Sequence, residues 1–334
     1  MLFGNTVEKL NSTKMEPPDQ STFSTRVKAV LLNIGTDAAT LEVFFAFRAR
    51  NIDSVVLKGP ALNDWHPTDS PRTYGDADLW IAPVTIADAS AVLVELGFRP
   101  AADARGLPSW WTEHAREWIR ERDSTNIDLH TYLQGTGTDP QLTWAALWPR
   151  CETFVLAGKE VQRLPTDARA MYVVLHAAHH GAIGRGSSLD HLSAALNSVD
   201  DSTWLSALQL AAELDAMEAF AAGLRLLPTG RSLAARIAVP DSKGVRSALL
   251  AANAPPVALG FDQVANAQGS RRVEILLRKA VPPPGFIRHW WAPAARNPAM
   301  LVVGYLYRPV WLLKHVLAGY RAWRAARRDA SSSS

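Results

Sequence analysis

The sequence predicts an α+β N-terminal half followed by a mostly helical C-terminal half. Short β-branched runs are interspersed with helical periodicity up to about Leu142, and strand patterns become sparse beyond it. With 334 residues, of which 48% are hydrophobic and 20% are charged, the chain is long enough to bury a sizeable core. This composition excludes wholesale disorder and the fibrous classes.

The N-terminal half contains both helix and strand signals. Helical periodicity predicts helices at 25–33, 36–51 and 84–96, the last of which ends at Gly97. Apolar and β-branched runs predict strands at 54–57, 76–81, 117–122 and 126–133. Between the first two strands, Pro60 suits the first turn of a short helix at 61–65.

The C-terminal half is dominated by helical patterns. They predict helices at 167–180, 188–199 and 203–227, whereas Pro-rich stretches at 254–257 and 281–285 are predicted as loops or linkers. We therefore divide the chain into four regions: a flexible N-terminus at 1–24, an α+β core at 25–150, a mostly helical region at 151–328 and a disordered tail at 329–334.

Charge and cysteine content exclude several functions. Lys and Arg total 35 against 32 Asp and Glu, and the net charge of +3 is too small for a dedicated nucleic-acid binder. The single cysteine, Cys151, excludes an internal disulfide framework and a cysteine-only metal cluster. Because the first residues lack the apolar segment of a secretory signal, we expect a cytoplasmic location.

No uncharged apolar run is expected to be long enough to span a bilayer. The nearest is 300–317, which is interrupted by Arg308, Pro309 and Lys314. Its continuation to Arg328 adds aromatic residues and arginines, so the segment either contacts an anionic membrane surface or packs as a terminal helix with its arginines solvated. Packing is favoured, because most apolar helical stripes belong to a core.

A pair of carboxylates is the most informative feature of the sequence. Asp76 and Asp78 lie two residues apart in a predicted strand, so both project from the same face. A third acid, Asp128, lies in another apolar, strand-like run. Carboxylates this close repel one another, and Mg²⁺ is their natural partner. Three converging acids can hold two ions roughly 3.5–4 Å apart for displacement at phosphorus. The alternative is an acidic pair on an exposed strand face near a turn.

Several short motifs follow one another along the chain. They are Leu57-Lys58-Gly59, Arg72, Gly75-Asp76-Ala77-Asp78-Leu79, Asp128-Leu129-His130, a helix from His176 to His180 and a later Asp190. Their order resembles the uncharacterised nucleotidyltransferase family, within the polymerase-β-like superfamily, over about residues 25–200. The resemblance implies a small mixed β-sheet flanked by helices, with Asp76, Asp78 and Asp128 as the metal-binding acids.

The resemblance also implies where the nucleotide binds. Lys58 and Gly59 stand where the wider superfamily usually carries Gly-Ser or Gly-Gly, in a turn whose backbone N–H groups hold the triphosphate. Lys58 adds a point charge for the phosphates, and Arg72 offers a bidentate contact to a phosphate or to the acceptor.

The histidines are open to more than one interpretation. His176 and His180 share a helix face and would suit zinc, although Ala177 stands where a zinc protease needs glutamate. A structural role or a contact to the acceptor, with Asp190 as a partner, is favoured. His130 shares a strand face with Asp128, where it orients an acid, contacts the substrate or is a plain strand histidine.

The predicted activity is nucleotidyl transfer that depends on Mg²⁺, with two ions and with Mn²⁺ as a possible replacement. A nucleoside monophosphate would pass from an NTP, ATP being the first candidate, to a hydroxyl or phosphate of an unidentified small molecule or peptide, with release of pyrophosphate. Asp76 and Asp78 would hold the ions, and Asp128 would help to bind them and act as the base. One alternative is a catalytically weak nucleotide-sensing or protein-binding module with the same fold. A second is transfer of the γ-phosphoryl group.

Overall fold

The computed structural model describes residues 20–67, 72–101, 115–180, 186–241, 244–245, 248–249, 254–267 and 269–331. Within this part of the chain, a mixed sheet has the strand order β3-β4-β5-β2-β1-β7-β6. Its strands are β1 (Ser54–Val56), β2 (Asp76–Ile81), β3 (Arg99–Pro100), β4 (Ala115–Arg120), β5 (Thr125–His130), β6 (Glu152–Leu156) and β7 (Lys159–Arg163). Strand β2 is parallel to β5 and antiparallel to β1, and β1 is parallel to β7. The predicted α+β class and mixed sheet are confirmed.

Helices flank the sheet and form the rest of the described chain. In the first part they are α1 (Gln20–Ala49), a 3₁₀ helix (Gly59–Trp65), α2 (Ile86–Glu95), α3 (Pro140–Leu147) and α4 (Thr166–His180). They continue as α5 (Gly186–Ser198), α6 (Asp201–Glu213), α7 (Met217–Leu224) and α8 (Pro228–Arg236). The last described helices are α9 (Pro256–Asn266), α10 (Ser270–Ala280), α11 (Pro284–Trp290), α12 (Ala292–Arg296) and α13 (Pro298–Ser331).

The two faces of the sheet pack against different helices. On one face, Leu79 and Ile81 of β2 contact a core that includes Phe47 of α1. On the other face, Trp80 of β2 and Leu57 pack in a core formed with α4, α6 and α7. Because side chains alternate along a strand, Asp76 and Asp78 share the α4 face with Trp80.

Several predicted elements differ from the observed ones. The two helices predicted at 25–33 and 36–51 form one helix, α1, whereas the one predicted at 203–227 is divided into α6 and α7. The turn between α6 and α7 contains Asp215, whose φ of +50° interrupts the helix. Residues 20–24 and 329–331, predicted to be flexible or disordered, are helical.

The sheet also continues past residue 150, where the sequence does not indicate strands. Strands β6 and β7 form a hairpin at its edge, and the turn at Ala157 and Gly158 has positive φ at both positions. Four of the five residues of β7 are polar or charged, which conceals its strand pattern. The predicted boundary between 150 and 151 stays a prediction.

Both Pro-rich stretches predicted as loops contain helix starts. Helix α9 begins at Pro256 and α11 begins at Pro284. Proline is compatible with the first helical turn, because its missing N–H would have no partner within the helix at that position. The prediction of loops at 254–257 and 281–285 is therefore wrong where these helices begin.

By length and composition, one described helix is able to cross a membrane: the stretch Val27–Ala49 of α1. The stretch contains the charged residues Lys28, Asp37, Glu42 and Arg48, so it differs from the uncharged apolar run that the sequence was expected to lack. A third of the stretch is buried inside the protein, where Val43, Phe44 and Phe47 pack against the sheet. A core helix also meets the length and composition criteria, so the finding is weak evidence for a span.

Candidate active site

The pairing of β2 with β5 brings the predicted acids together. The two strands are parallel, and their register places Asp78 opposite Asp128 and Trp80 opposite His130. Ile127 and Leu129 point into the core on the α1 side. By alternation, Asp128 and His130 therefore share the α4 face with Asp78. Residues 50 positions apart in the sequence thus become direct neighbours.

Three of these side chains can hold a metal ion. Ligand atoms of Asp78, Asp128 and His130 all lie within 4.8 Å of one another. Carboxylate oxygens suit Mg²⁺ or Mn²⁺, and an imidazole nitrogen is a further donor that Mn²⁺ accepts more readily than Mg²⁺ does. Asp76 does not belong to this group. It lies on the same face two residues earlier and is exposed, and partial burial together with the Asp78 carboxylate raises its pKa.

Asp78 is buried and has two close partners. Lys58 Nζ and His130 Nε2 each lie 2.8 Å from Asp78 Oδ1. Burial alone would raise the pKa of Asp78, but the Lys58 ammonium and the His130 hydrogen bond lower it well below its usual value. Burial would likewise lower the pKa of Lys58, but the Asp78 carboxylate outweighs this effect and raises it. Both groups therefore stay charged at neutral pH.

Asp128 has a different electrostatic environment. Burial and the negative charge of Asp78 raise its pKa to about 6. Such a carboxyl group is mostly ionised at pH 7 and still accepts a proton readily, as a general base requires. Two acids in equivalent positions of adjacent strands therefore have different properties: Asp78 is a permanent anion, and Asp128 exchanges protons near neutrality.

The predicted nucleotide-binding turn follows β1. Gly59 begins the 3₁₀ helix with a φ of +57°, and a Cβ at this position would lie 3.4 Å from the Tyr74 ring. Both the backbone conformation and the close approach of Tyr74 favour glycine. The preceding residue, Lys58, directs its ammonium group to Asp78. The turn and the acids are therefore parts of one site.

Helix α4 contributes histidines to the same site. His176 Nε2 lies 3.5 Å from Lys58 Nζ, and His180 Nε2 lies 3.3 Å from His176 Nε2. Burial and the Lys58 ammonium lower the pKa of His176 well below its usual value. A neutral imidazole is able to accept a hydrogen bond from the lysine. The structure thus places His176 and His180 beside Lys58, and the metal-ligand group described above contains neither.

Arg72 belongs to a cluster that the sequence did not reveal. Its Nη1, the Nε2 of His66 and the Nδ1 of His191 are buried and have no hydrogen-bond partner among the described residues. The two histidine rings are 5.7 Å apart between centroids. Burial lowers the pKa of Arg72. Burial and the Arg72 charge also lower the pKa of His66 and bring that of His191 to about 3. Unpartnered buried nitrogen atoms around a guanidinium can donate to an anion.

A cavity of about 500 Å³ lies next to this cluster. The end of the 3₁₀ helix and α5 form its walls, which include Asp64, His66, Asp190 and Asn197. The structure therefore places Asp190 in a polar cavity wall. Asp64 in the same wall is held by ion pairs to Arg169 at 2.8 Å and to Arg163 at 3.1 Å.

A family model described as uncharacterised nucleotidyltransferase matches residues 2–229. No curated protein matches the chain. Among solved structures, antibiotic-resistance factor ANT(2'')-Ia is 14% identical, with a TM-score of 0.38 over 58% of this chain and 96% of that one. The lincomycin-bound lincosamide antibiotic adenylyltransferase LnuA is 12% identical, with a TM-score of 0.34 over 48% and 95%. An antigenic nucleotidyltransferase-like protein from Paracoccidioides brasiliensis is 15% identical, with a TM-score of 0.30 over 55% and 92%. Similarity at this level does not identify a substrate.

Proposed function

Because this chain belongs to the uncharacterised nucleotidyltransferase family, we propose that it transfers a nucleoside monophosphate from an NTP to a hydroxyl or phosphate of a small molecule or peptide. ATP is the first candidate donor, and pyrophosphate is the second product. The observation that carries this proposal is the parallel register of β2 and β5. It places Asp78 beside Asp128, with His130 completing a group of ligand atoms within 4.8 Å of one another.

The residues on the α4 face fit a divalent cation. The Asp78 charge raises the pKa of Asp128, and a cation between the two carboxylates would relieve this repulsion. Asp78, Asp128 and His130 would hold Mg²⁺ or Mn²⁺, and Asp76 on the same face would add a carboxylate for a second ion. When bound, the metal supplies Lewis-acid polarisation of the phosphoryl oxygens. The Lys58 ammonium would then leave the Asp78 carboxylate and bind a phosphate oxygen of the nucleotide.

The reaction is an in-line displacement at the α-phosphorus. An acceptor oxygen forms the new bond to this phosphorus, and the bond from the phosphorus to the bridging oxygen of the pyrophosphate breaks with its electron pair. The proton of an acceptor hydroxyl passes to Asp128, which lies opposite Asp78 on the same face of the sheet. The unpartnered nitrogen atoms of Arg72, His66 and His191 would hold the charge of the β- and γ-phosphates. The cavity lined by Asp190 and Asn197 would receive the acceptor.

The test measures transfer of α-labelled phosphate from each NTP to candidate acceptors and identifies the product that is released. We expect label transfer and pyrophosphate release in the wild type, and loss of both in the Asp76→Ala plus Asp78→Ala variant. Asp53→Asn, at an exposed residue before β1, is the matched control and should retain activity. Full activity in the double variant would contradict the proposal. Release of ADP from ATP would instead indicate γ-phosphoryl transfer.

One observation favours a second candidate function. The Lys58 ammonium pairs with Asp78 at 2.8 Å and so competes with any cation for this carboxylate. A protein in which this pair persists would bind the nucleotide without transferring it, as a nucleotide-sensing or protein-binding module. Calorimetry distinguishes the two functions, since binding of Mg²⁺-NTP without pyrophosphate release over a long incubation would favour the module.

A further inference from the structure

Helix α10 exposes an apolar face. Val273, Leu276 and Leu277 are spaced as i, i+3 and i+4, and each is more than half exposed. Arg272 is also exposed on the same helix. An exposed amphipathic helix with cations beside its apolar face has the pattern of a helix that lies in a membrane interface.

Helix α13 exposes a second and longer apolar stripe. Its side chains recur at alternating steps of three and four residues, and they are between 39% and 74% exposed: Val303, Leu306, Val310, Leu313, Leu317 and Tyr320. The other side of α13 packs against α9, α11 and α12, where Gly304, Arg308 and Ala326 are buried. The helix is thus apolar on two sides, and the folded chain covers one of them.

The end of α10 contacts the middle of α13. Arg308 Nε donates to the backbone oxygen of Lys279 at 3.4 Å, and Tyr305 Oη donates to the backbone oxygen of Pro282 at 2.7 Å. Val281, between these two contact points, is 71% exposed. We define the basic apolar surface as the exposed apolar residues of α10 and α13, Val281 and the cations of these two helices.

Positive charge is concentrated in the same part of the chain. Residues 270–331 contain twelve Lys and Arg against two acids, Glu274 and Asp329, which leaves 23 basic and 30 acidic residues elsewhere. Exposed cations lie along the last turns of α13, among them Arg321 and Arg324. The overall net charge of +3 therefore combines a strongly basic C-terminal region with an acidic remainder.

Two further cations, Arg308 and Lys279, lie inside this region. Arg308 stacks 4.6 Å from the Phe286 ring centroid and 5.0 Å from that of Trp290. Burial lowers the pKa of Arg308, and burial together with the Arg308 charge lowers that of Lys279. No ion pair to either residue is found among the described residues.

The charges decide between two occupants of the surface. Val and Leu alternate over the first four positions of the α13 stripe, from Val303 to Leu313, a pattern that suits a two-stranded coiled coil with a second copy. The flanking positions, however, contain Tyr307, Lys314 and Arg321 on one side and Val302 and Pro309 on the other. None of these is acidic, so two copies would gain no interhelical ion pairs.

We propose that the basic apolar surface docks onto an anionic lipid bilayer. The apolar side chains of α10 and α13 would enter the boundary between headgroups and acyl chains, while the arginines contact lipid phosphates. This interaction needs no transmembrane segment. It does not depend on the proposed reaction, because none of its residues belongs to that site.

The test is co-sedimentation of the full chain with vesicles. We expect binding to a mixture of phosphatidylcholine and phosphatidylglycerol, little binding to phosphatidylcholine alone, and weaker binding at high salt. Leu306→Glu plus Leu313→Glu should lower the partition coefficient at least tenfold, and Arg321→Glu plus Arg324→Glu should lower it by about tenfold or more.

The matched control is Val84→Glu plus Val155→Glu, which introduces the same charges at residues that are 74% and 68% exposed outside the surface. This variant should bind at least half as well as the wild type. Two results would overturn the proposal: a wild type that stays in the supernatant with anionic vesicles, or surface variants that bind no worse than the control. A dimer that Leu306→Glu plus Leu313→Glu dissociates, without vesicle binding, would assign the surface to a second copy.

Discussion

On the α4 face of the sheet, Lys58, Asp78 and His130 are largely buried and contact one another, whereas Leu306 and Leu313 of α13 are 71% and 74% exposed. In the first region charged side chains lie in the protein interior, and in the second leucine side chains are exposed to solvent. Both arrangements are costly for a chain that only has to fold. We propose that each region is arranged for a ligand and not for stability: a metal-nucleotide in the first, a lipid surface in the second.

The largest expected effect comes from removing the centre of the buried cluster. Asp78→Ala should lower nucleotidyl transfer by at least about 10³-fold, because the residue would act directly on the reacting groups. It also leaves the Lys58 ammonium uncompensated, at a cost of about 3–5 kcal/mol in the free energy of unfolding. Urea denaturation and the α-label assay measure the two effects.

A second variant distinguishes the cost of an unpaired buried charge from the cost of removing the Asp78 side chain. Asp78→Ala plus Lys58→Met removes both members of the pair and should recover part of the lost stability but none of the activity. If the single and double variants unfold at the same urea concentration, the ion pair does not explain the burial of Asp78.

The next effect is a loss of stability in acid. His191 has a pKa of about 3 in the folded chain and an ordinary value near 6.5 when unfolded. Below pH 6.5 the His191 imidazole therefore binds a proton in the unfolded chain and not in the folded chain. The free energy of unfolding falls as the pH falls towards 3. At pH 5 the loss from this group is about 2 kcal/mol. Urea denaturation of the wild type and of His191→Gln at pH 7 and pH 5 measures it.

The variant should show the smaller pH dependence of the two. Pyrophosphate in the buffer should reduce the acid loss of the wild type, because an anion next to His191 favours its protonated form. Identical pH dependence in the two proteins would mean that the His191 ring reaches solvent or a partner in acid.

The sequence predicted the acids better than their surroundings, for physical reasons. Alternation along β2 and the family resemblance predicted Asp78 and Asp128 as site residues, and the register of β2 and β5 places the two side by side. His66 and His191 are 125 residues apart, and only the packing of α5 on the 3₁₀ helix joins them. An isolated histidine carries no signal of such a partner. The β6–β7 hairpin was missed because four of the five residues of β7 are polar or charged, so this strand shows no apolar alternation.

A smaller effect is expected at Gly59. Comparison with Gly158 distinguishes the cost of backbone strain from an effect on the activity. Gly59→Ala forces a side chain into a φ of +57° and against the Tyr74 ring, which should cost about 1–2 kcal/mol. Gly158→Ala carries a comparable backbone strain at a φ of +79° but has nothing within 4 Å of the new Cβ. Both variants should be less stable in urea, and only Gly59→Ala should also lower kcat/KM for the NTP. Equal kcat/KM in the two variants would mean that the turn at Gly59 does not belong to the nucleotide site.

The smallest effect tests the other side of the comparison. Leu306→Glu plus Leu313→Glu should change the free energy of unfolding by no more than about 0.5 kcal/mol per substitution, because exposed side chains away from special features contribute little to stability. A buried leucine would instead cost about 2–5 kcal/mol on truncation. Urea denaturation without vesicles distinguishes these values. A loss of several kcal/mol would show that the stripe packs within the folded chain, and the contrast with the α4 face would then disappear. Unchanged stability combined with lost vesicle binding would mean that these leucines serve a partner outside the chain.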